Sequence, residues 1–161
     1  MAVKLRGRDA FSYAFNEYMD TVYRVAYHNT QSEADAQDIT QETFMKLLDD
    51  SRSFKDAEHL KAWLIRVTIN LCHNLYRSAK KTVRLDESFA MPESVQAESV
   101  LDYVRALPEN YKNAIYLHYY EGYTAEEIGG ILGAKTNTVL SWLSRGREIL
   151  RRQMTGGFDG E

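Results

Sequence analysis

Four small polar side chains, Thr136, Asn137, Thr138 and Ser141, precede Ser144, Arg145, Arg147, Arg151 and Arg152 in one continuous stretch. Hydroxyls and amides of this size hydrogen-bond to base edges, and arginine binds phosphates or a guanine edge in bidentate fashion. Between Ile128 and Phe158 only Glu148 offsets these arginines and Lys135. A second cationic block runs from His59 to Leu85. It holds Lys61, Arg66, Arg77, Lys80, Lys81 and Arg84 and no acidic residue. Trp63 and Tyr76 lie within it, and Phe54 lies in the polar loop before it. Cations beside aromatic rings suit single-stranded nucleic acid, whose unpaired bases can stack. Trp63 falls on the apolar face of its helix and is expected in the core. Phe54 is the better candidate for a base contact.

Other chemistry finds little support. Cys72 and His73 are adjacent, so on a helix they point about 100° apart and form no nucleophile–base pair. His28, His59 and His118 lack metal-ligand spacing. Gly129 and Gly130 sit inside a helical pattern rather than a phosphate loop, and close helix contact is the expected reason for them. Glu33, Asp35, Asp38 and Glu42 are spread around a helix as a solvated or partner-facing surface. No catalytic residue, metal site or cofactor is therefore expected. The single cysteine fits a reducing compartment. No apolar run reaches the roughly 18 residues of a membrane helix, and the N-terminus lacks an apolar core of signal-peptide length. A cytoplasmic protein without membrane insertion is expected.

The elements that must position these residues are helices. Phe11, Phe15, Tyr18, Met19, Val22, Tyr23 and Ala26 recur at three- and four-residue spacing. Ser32 can cap the next helix, whose buried side is Ala36, Ile39, Phe44 and Leu47. "SRSFKDAE" breaks the pattern as a loop. Leu60, Trp63, Leu64, Val67, Leu71 and Leu75 form the apolar face of a third helix. Residues 82–97 lose this periodicity, turn acidic and read as a linker in which Val83, Leu85 and Phe89 could pack locally. Two short helices follow, one stopped and one opened by Pro108. The expected fold is all-α: two small helical domains, 1–81 and 98–161, joined by a flexible linker, 82–97.

The second domain carries a helix-turn-helix from Thr124 to Arg147. Thr124 and Glu127 make a capping box, Gly133 ends the first helix, and the second starts near Thr136 and runs to about Met154, leaving a frayed tail. Ile128, Leu132, Val139 and Leu143 have the spacing to lock the pair at a steep angle. The second helix can then enter a major groove, with its N–H groups and dipole favouring phosphate. Val139 and Leu143 point inward. Asn137, Ser141, Ser144 and Arg145 are the leading readers, with Thr136, Thr138 and Arg147 beside them. Leu140 and Trp142 either pack inward or meet a thymine methyl or a sugar; periodicity leaves both open.

"DITQETFMKLL" (Asp38–Leu48), "SFKDAEHLKAWLIRVTINLCHNLYR" (Ser53–Arg77) and "ALPENYKNAIYLHYYEGYTAEEIGGILGAKTNTVLSWLSRGREIL" (Ala106–Leu150) follow one another in this order. Together they resemble an extracytoplasmic-function (ECF) sigma factor of the sigma-70 family of bacterial RNA polymerase, over nearly the whole chain from about Phe11. The resemblance implies that Asp38, Ile39, Gln41, Glu42, Phe44 and Leu48 dock on the largest catalytic subunits of core polymerase. It implies that the first domain (sigma region 2) holds the −10 promoter element as a single strand. Phe54, Lys55 and Asp56 in the loop and Lys61, Arg66, Asn70 and Arg77 on the helix would then be its contacts. The second domain (sigma region 4) would read the −35 element through Thr136, Asn137, Thr138, Ser141, Ser144, Arg145 and Arg147. An anti-sigma factor is a further implied partner. The chain departs from the family pattern at Leu140 and Trp142, where basic residues are usual, and at Lys135, where a capping serine is common. These departures bear on individual base contacts and not on the fold.

The net charge of −3 fits a protein that meets DNA in company. Its phosphate attraction alone is small, and two weak contacts on one linker reinforce each other once polymerase is bound. The alternative is a stand-alone helix-turn-helix regulator whose first domain senses or dimerises.

Overall fold

The computed structural model describes residues 5–50, 52–82 and 99–158. The chain divides into two compact units, Met1–Asp86 and Glu87–Glu161. Apart from Thr82, the stretch read as a linker, including Val83, Leu85 and Phe89, lies outside the described residues.

Among the described residues, three helices build the first unit: α1 (Gly7–Thr30), α2 (Glu33–Asp49) and α3 (Ala57–Thr82). Small or branched residues of α1, namely Ala10, Ala14, Val22, Val25 and Ala26, are buried and let α2 and α3 approach closely. Ala36, Ile39, Phe44 and Leu47 of α2 face them as the periodicity requires. Gln31 reverses the chain in a left-handed conformation, φ 53°. Ser32 then caps α2 by accepting the Asp35 N–H at 3.2 Å. The Tyr18 hydroxyl donates to the Ala57 carbonyl at 3.3 Å and ties α1 to the start of α3. Burial, followed by neighbouring Tyr13 and Glu58, pushes its pKa up to about 12.

Three expectations change here. The loop before α3 contains a two-residue strand, β2 (Ser53–Phe54), antiparallel to β1 (Leu5–Arg6), with Leu5 opposite Phe54. Phe15 stands half in water, at 50% exposure. The alanine side of α1 takes the core, and Phe15 instead stacks on Phe11 and meets Phe44 edge-on, each at 6.0 Å between ring centres. Leu75 is exposed as well; the buried face of α3 is turned toward Leu60, Leu64, Ile65, Thr68, Ile69 and Cys72.

The second unit holds α4 (Val100–Arg105), α5 (Glu109–Tyr119), α6 (Ala125–Leu132) and α7 (Thr136–Phe158). The last helix continues beyond Met154, where a frayed tail was expected. Val104, Leu107, Ile115, Leu117, Ile128, Ile131, Val139 and Leu143 are buried. Ile131 occupies the inward place expected of Leu132, which is only half-buried. Gly146 is buried where α7 crosses α5, and a β-carbon there would meet Ile115 Cγ1 at 2.9 Å.

The α6–α7 turn depends on two glycines. Gly133 closes α6 in the left-handed region, φ 70°. The Gly129 carbonyl accepts its N–H, and also that of Ala134 at 2.9 Å. A β-carbon on residue 129 would lie 2.5 Å from the Ala134 carbonyl oxygen. The partner of Gly129 is thus the turn backbone rather than a neighbouring helix. Gly130 has nothing within 4 Å of such a carbon. Gly129→Ala should therefore destabilise this unit by about 2–3 kcal/mol, measured by urea unfolding. Gly130→Ala, in open helical space, should be neutral or stabilising by up to about 1 kcal/mol.

Candidate functional site

In the second unit, burial of Val139, Leu143 and Gly146 fixes the roll of α7. Asn137, Ser141 and Ser144 consequently face outward, and Thr136, Thr138 and Arg145 are exposed on their flanks. Leu140 lies with them, 49% exposed, while Trp142 is half-buried on the core side. Two cations are already engaged. Arg147 Nη1 donates to the Tyr119 hydroxyl at 3.3 Å, and Arg152 Nη2 lies 2.7 Å from Glu148 Oε1. Lys135 precedes α7 and offers no side-chain acceptor, so the leading N–H groups have no cap from it. The α6 entry is closed by the expected box. Thr124 Oγ1 accepts from the Glu127 N–H at 3.2 Å, and Glu127 Oε1 accepts from the Thr124 N–H at 3.0 Å. That bond from the Thr124 N–H holds the Glu127 carboxyl below its ordinary range.

In the first unit, Arg66, Asn70 and Arg77 share an exposed stripe of α3 at i, i+4 and i+11. Half-buried Trp63 stands one turn before them. Lys61 does not join them; it sits on the opposite side of α3, half-buried. Lys55 is exposed in the loop. Phe54 is corrected from a base contact to a core residue. It is 5% exposed, packs among Leu60, Leu64 and Ala10, and meets Trp63 edge-on at 5.5 Å. The reason is its strand pairing with Leu5, which turns the ring inward. The aromatic surface at this end is instead Trp63, with the Arg52 guanidinium 5.6 Å from the ring centre and held by Asp50 at 3.0 Å. Arg52 was missed by sequence reasoning. No local signal pointed to it, because the burial of Phe54 that sets Arg52 against Trp63 depends on the distant pairing with Leu5.

Asp56 takes a structural task at this end. Its Oδ1 accepts the His59 N–H at 2.9 Å and lies 2.7 Å from His59 Nδ1. These bonds, the side-chain one first, hold its carboxyl below the ordinary range. The carboxylate caps α3 and keeps the loop fixed to the helix.

The α2 residues divide by side. Ile39 and Phe44 are buried, so they hold the helix in place and offer no surface. Asp38, Gln41, Glu42 and Leu48 face outward, joined by Met45, which sequence reasoning left out. The outward row thus runs from acidic to apolar along one helix.

Two matches fall on these same two units. The sigma-70 region 2 family model matches residues 14–82, and the sigma-70 region 4 model matches residues 97–150. The ECF RNA polymerase sigma factor SigW of Bacillus subtilis is 30% identical, with 94% of this chain and 92% of SigW covered. This chain belongs to the sigma-70 family of RNA polymerase sigma factors, in its ECF group. The ECF sigma factor SigE of Mycolicibacterium smegmatis is 32% identical, over 84% of this chain and 58% of that protein. Among solved structures, the sigma factor RpoE of Bartonella quintana, in complex with the anti-sigma factor NepR, has a TM-score of 0.72 at 22% identity. It covers 90% of this chain and 96% of that one. At that identity it speaks for the fold of the sigma factor.

Because the Asp56 pKa is depressed, its contribution to stability is complete above the ordinary carboxylate range and is lost as pH falls through the folded value. Asp56→Ala should therefore lower the Tm at neutral pH, and the difference from wild type should shrink as the solution is acidified. Paired thermal melts along a pH series check this.

Proposed function

We propose that this sigma factor binds core RNA polymerase through the outward row of α2, and promoter DNA through α3 of its first unit and α7 of its second. The observation that carries this reading is the segregation of surfaces by helix. The outward row of α2, Asp38, Gln41, Glu42, Met45 and Leu48, is acidic and apolar with Lys46 beside it, whereas Arg66, Asn70 and Arg77 form a row on α3 and Asn137, Ser141, Ser144 and Arg145 are exposed on α7. A protein partner suits the first surface, because carboxylates repel phosphate and exposed Met45 and Leu48 gain by burial. Arg66, Asn70 and Arg77, in a row that starts one turn after Trp63, suit an unpaired −10 strand. Asn137, Ser141, Ser144 and Arg145 suit the major groove of the −35 element.

In this reading residues 1–81 are the domain for core binding and the −10 element, 82–97 the linker, and 98–161 the domain for the −35 element. The protein performs no catalysis; polymerase makes the transcript and this subunit chooses where. It works in the cytoplasm, where polymerase and promoters are; no helix among the described residues is long and apolar enough to cross a membrane. An anti-sigma factor is its restraining partner. Such a complex is known for the structural relative RpoE of Bartonella quintana with the anti-sigma factor NepR, and the relative CnrH is solved in complex with the cytosolic domain of CnrY.

In vitro transcription with core polymerase tests the reading. The chain should direct initiation at a restricted set of promoters only when core is present, and should shift duplex DNA weakly without it. Tight specific binding by the free chain would favour the stand-alone regulator. Replacing Asp38 and Glu42 together by Lys should weaken core binding about tenfold or more, with unchanged helix content. Neutralising Arg145 and Arg147 together should leave core binding intact, cut promoter affinity, and lower the salt slope by roughly one per lost phosphate contact. Unaltered transcription by that double variant would reduce the chain to a helical adaptor without a DNA role.

A further inference from the structure

Leu140 is the only exposed large hydrophobic side chain of α7 among the described residues, at 49% exposure. Its helical neighbours on the outward side are Thr136 and Ser144 at four residues and Asn137 at three. All are short and polar and cannot cover an isobutyl group. Arg147, one turn further along, is drawn away to the Tyr119 hydroxyl. Leu140 therefore projects from a row of smaller groups on the first turns of the helix.

The surroundings decide what meets it. A protein-docking patch needs contiguous apolar area, and the outward side of α7 supplies none around Leu140. Besides Arg147, the exposed cations nearest in sequence, Lys135 just before the helix, Arg145 on its flank and Arg151 three turns further along, complement a polyanion instead. In a major groove only thymine presents an apolar group, its C5-methyl; the other base edges present donors and acceptors. A leucine against those edges would strip them of water and return no hydrogen bond.

On the proposed placement of α7 in the −35 element, the structure assigns Leu140 as a specificity-determining residue that selects thymine at one position by packing on its methyl group. Asn137, Ser141 and Ser144 read the flanking positions by hydrogen bonds. Leu140 thus turns what would be a polar or cationic contact into a demand for one methyl.

The experiment uses holoenzyme, core polymerase with the full chain, and promoters identified by sequencing its transcripts in vitro. In duplexes bearing the −35 element, each thymine is replaced singly by uracil, which lacks the methyl and keeps every hydrogen bond. One replacement should weaken wild-type holoenzyme binding roughly fourfold, the burial of one methyl group. Leu140→Ala should bind the thymine duplex at that reduced level and show no further loss with uracil. Tolerance of uracil at every position, full uracil sensitivity in Leu140→Ala, or selected −35 elements without thymine would each overturn the assignment while leaving the sigma role standing. A Leu140→Ala protein that loses core affinity with no uracil effect would place a protein partner on Leu140 and overturn it too. Holoenzyme that initiates nowhere would overturn the promoter reading and this assignment with it. The uracil series on wild type needs no variant, so folding of Leu140→Ala does not limit the test.

Discussion

A carbonyl oxygen and a missing side chain set the geometry of the second unit. Ala134 places its oxygen 2.5 Å from where a β-carbon on residue 129 would be, and its N–H returns to the Gly129 carbonyl. Only glycine leaves room for that approach without a backbone shift. The approach brings the start of α7 hard against the middle of α6, so the two helices meet at a fixed angle. Val139 and Leu143 then drop into the core beside Ile128, and Gly146 lets α5 close over the same helix. With these three positions inward, the outward set is fixed by the helical repeat alone. Asn137, Leu140, Ser141 and Ser144 have their exposure because Gly129 has no side chain.

The first unit solves a related problem with a carboxylate. Asp56 joins the end of a two-residue strand to the first turn of α3 and anchors His59. Phe54 is held inward on the strand side, and the stripe of Arg66, Asn70 and Arg77 begins two turns later. In the proposed role this fixes the loop before any strand of DNA arrives, which lowers the ordering cost of binding. The acidic row lies on a different helix of the same unit, α2. In the proposed role, one small bundle thus offers protein the row Asp38, Gln41, Glu42, Met45 and Leu48 of α2 and offers nucleic acid the row Arg66, Asn70 and Arg77 of α3.

Most of the helices were legible in the sequence because they carry strong periodicity and explicit ends, such as Ser32, Thr124 with Glu127, and Gly133. The inward faces of α2 and of the helix-turn-helix followed from spacing. Spacing failed where tertiary contact chose between two plausible faces. Phe15 lost the core to alanines because close helix approach favours small residues. Phe54 looked solvent-facing because its neighbours Ser53, Lys55 and Asp56 are polar, and its burial depends on pairing with Leu5, nearly 50 residues away. Nothing local encodes that pairing. Lys61 looked like one more member of a basic block, and only the roll of α3 separates it from Arg66. For the candidate contacts, sequence supplied the chemical types and the fold divided them into those that face outward and those that hold the helix.

Glu148 sits on the exposed side of α7, in salt-bridge contact with Arg152. A duplex phosphate drawn to that arginine must displace a carboxylate already in place, and fewer condensed counterions are released for each contact made. In the proposed role, this built-in counter-charge weakens the attraction of the free subunit for arbitrary DNA, by at most about 1 kcal/mol for so exposed a pair.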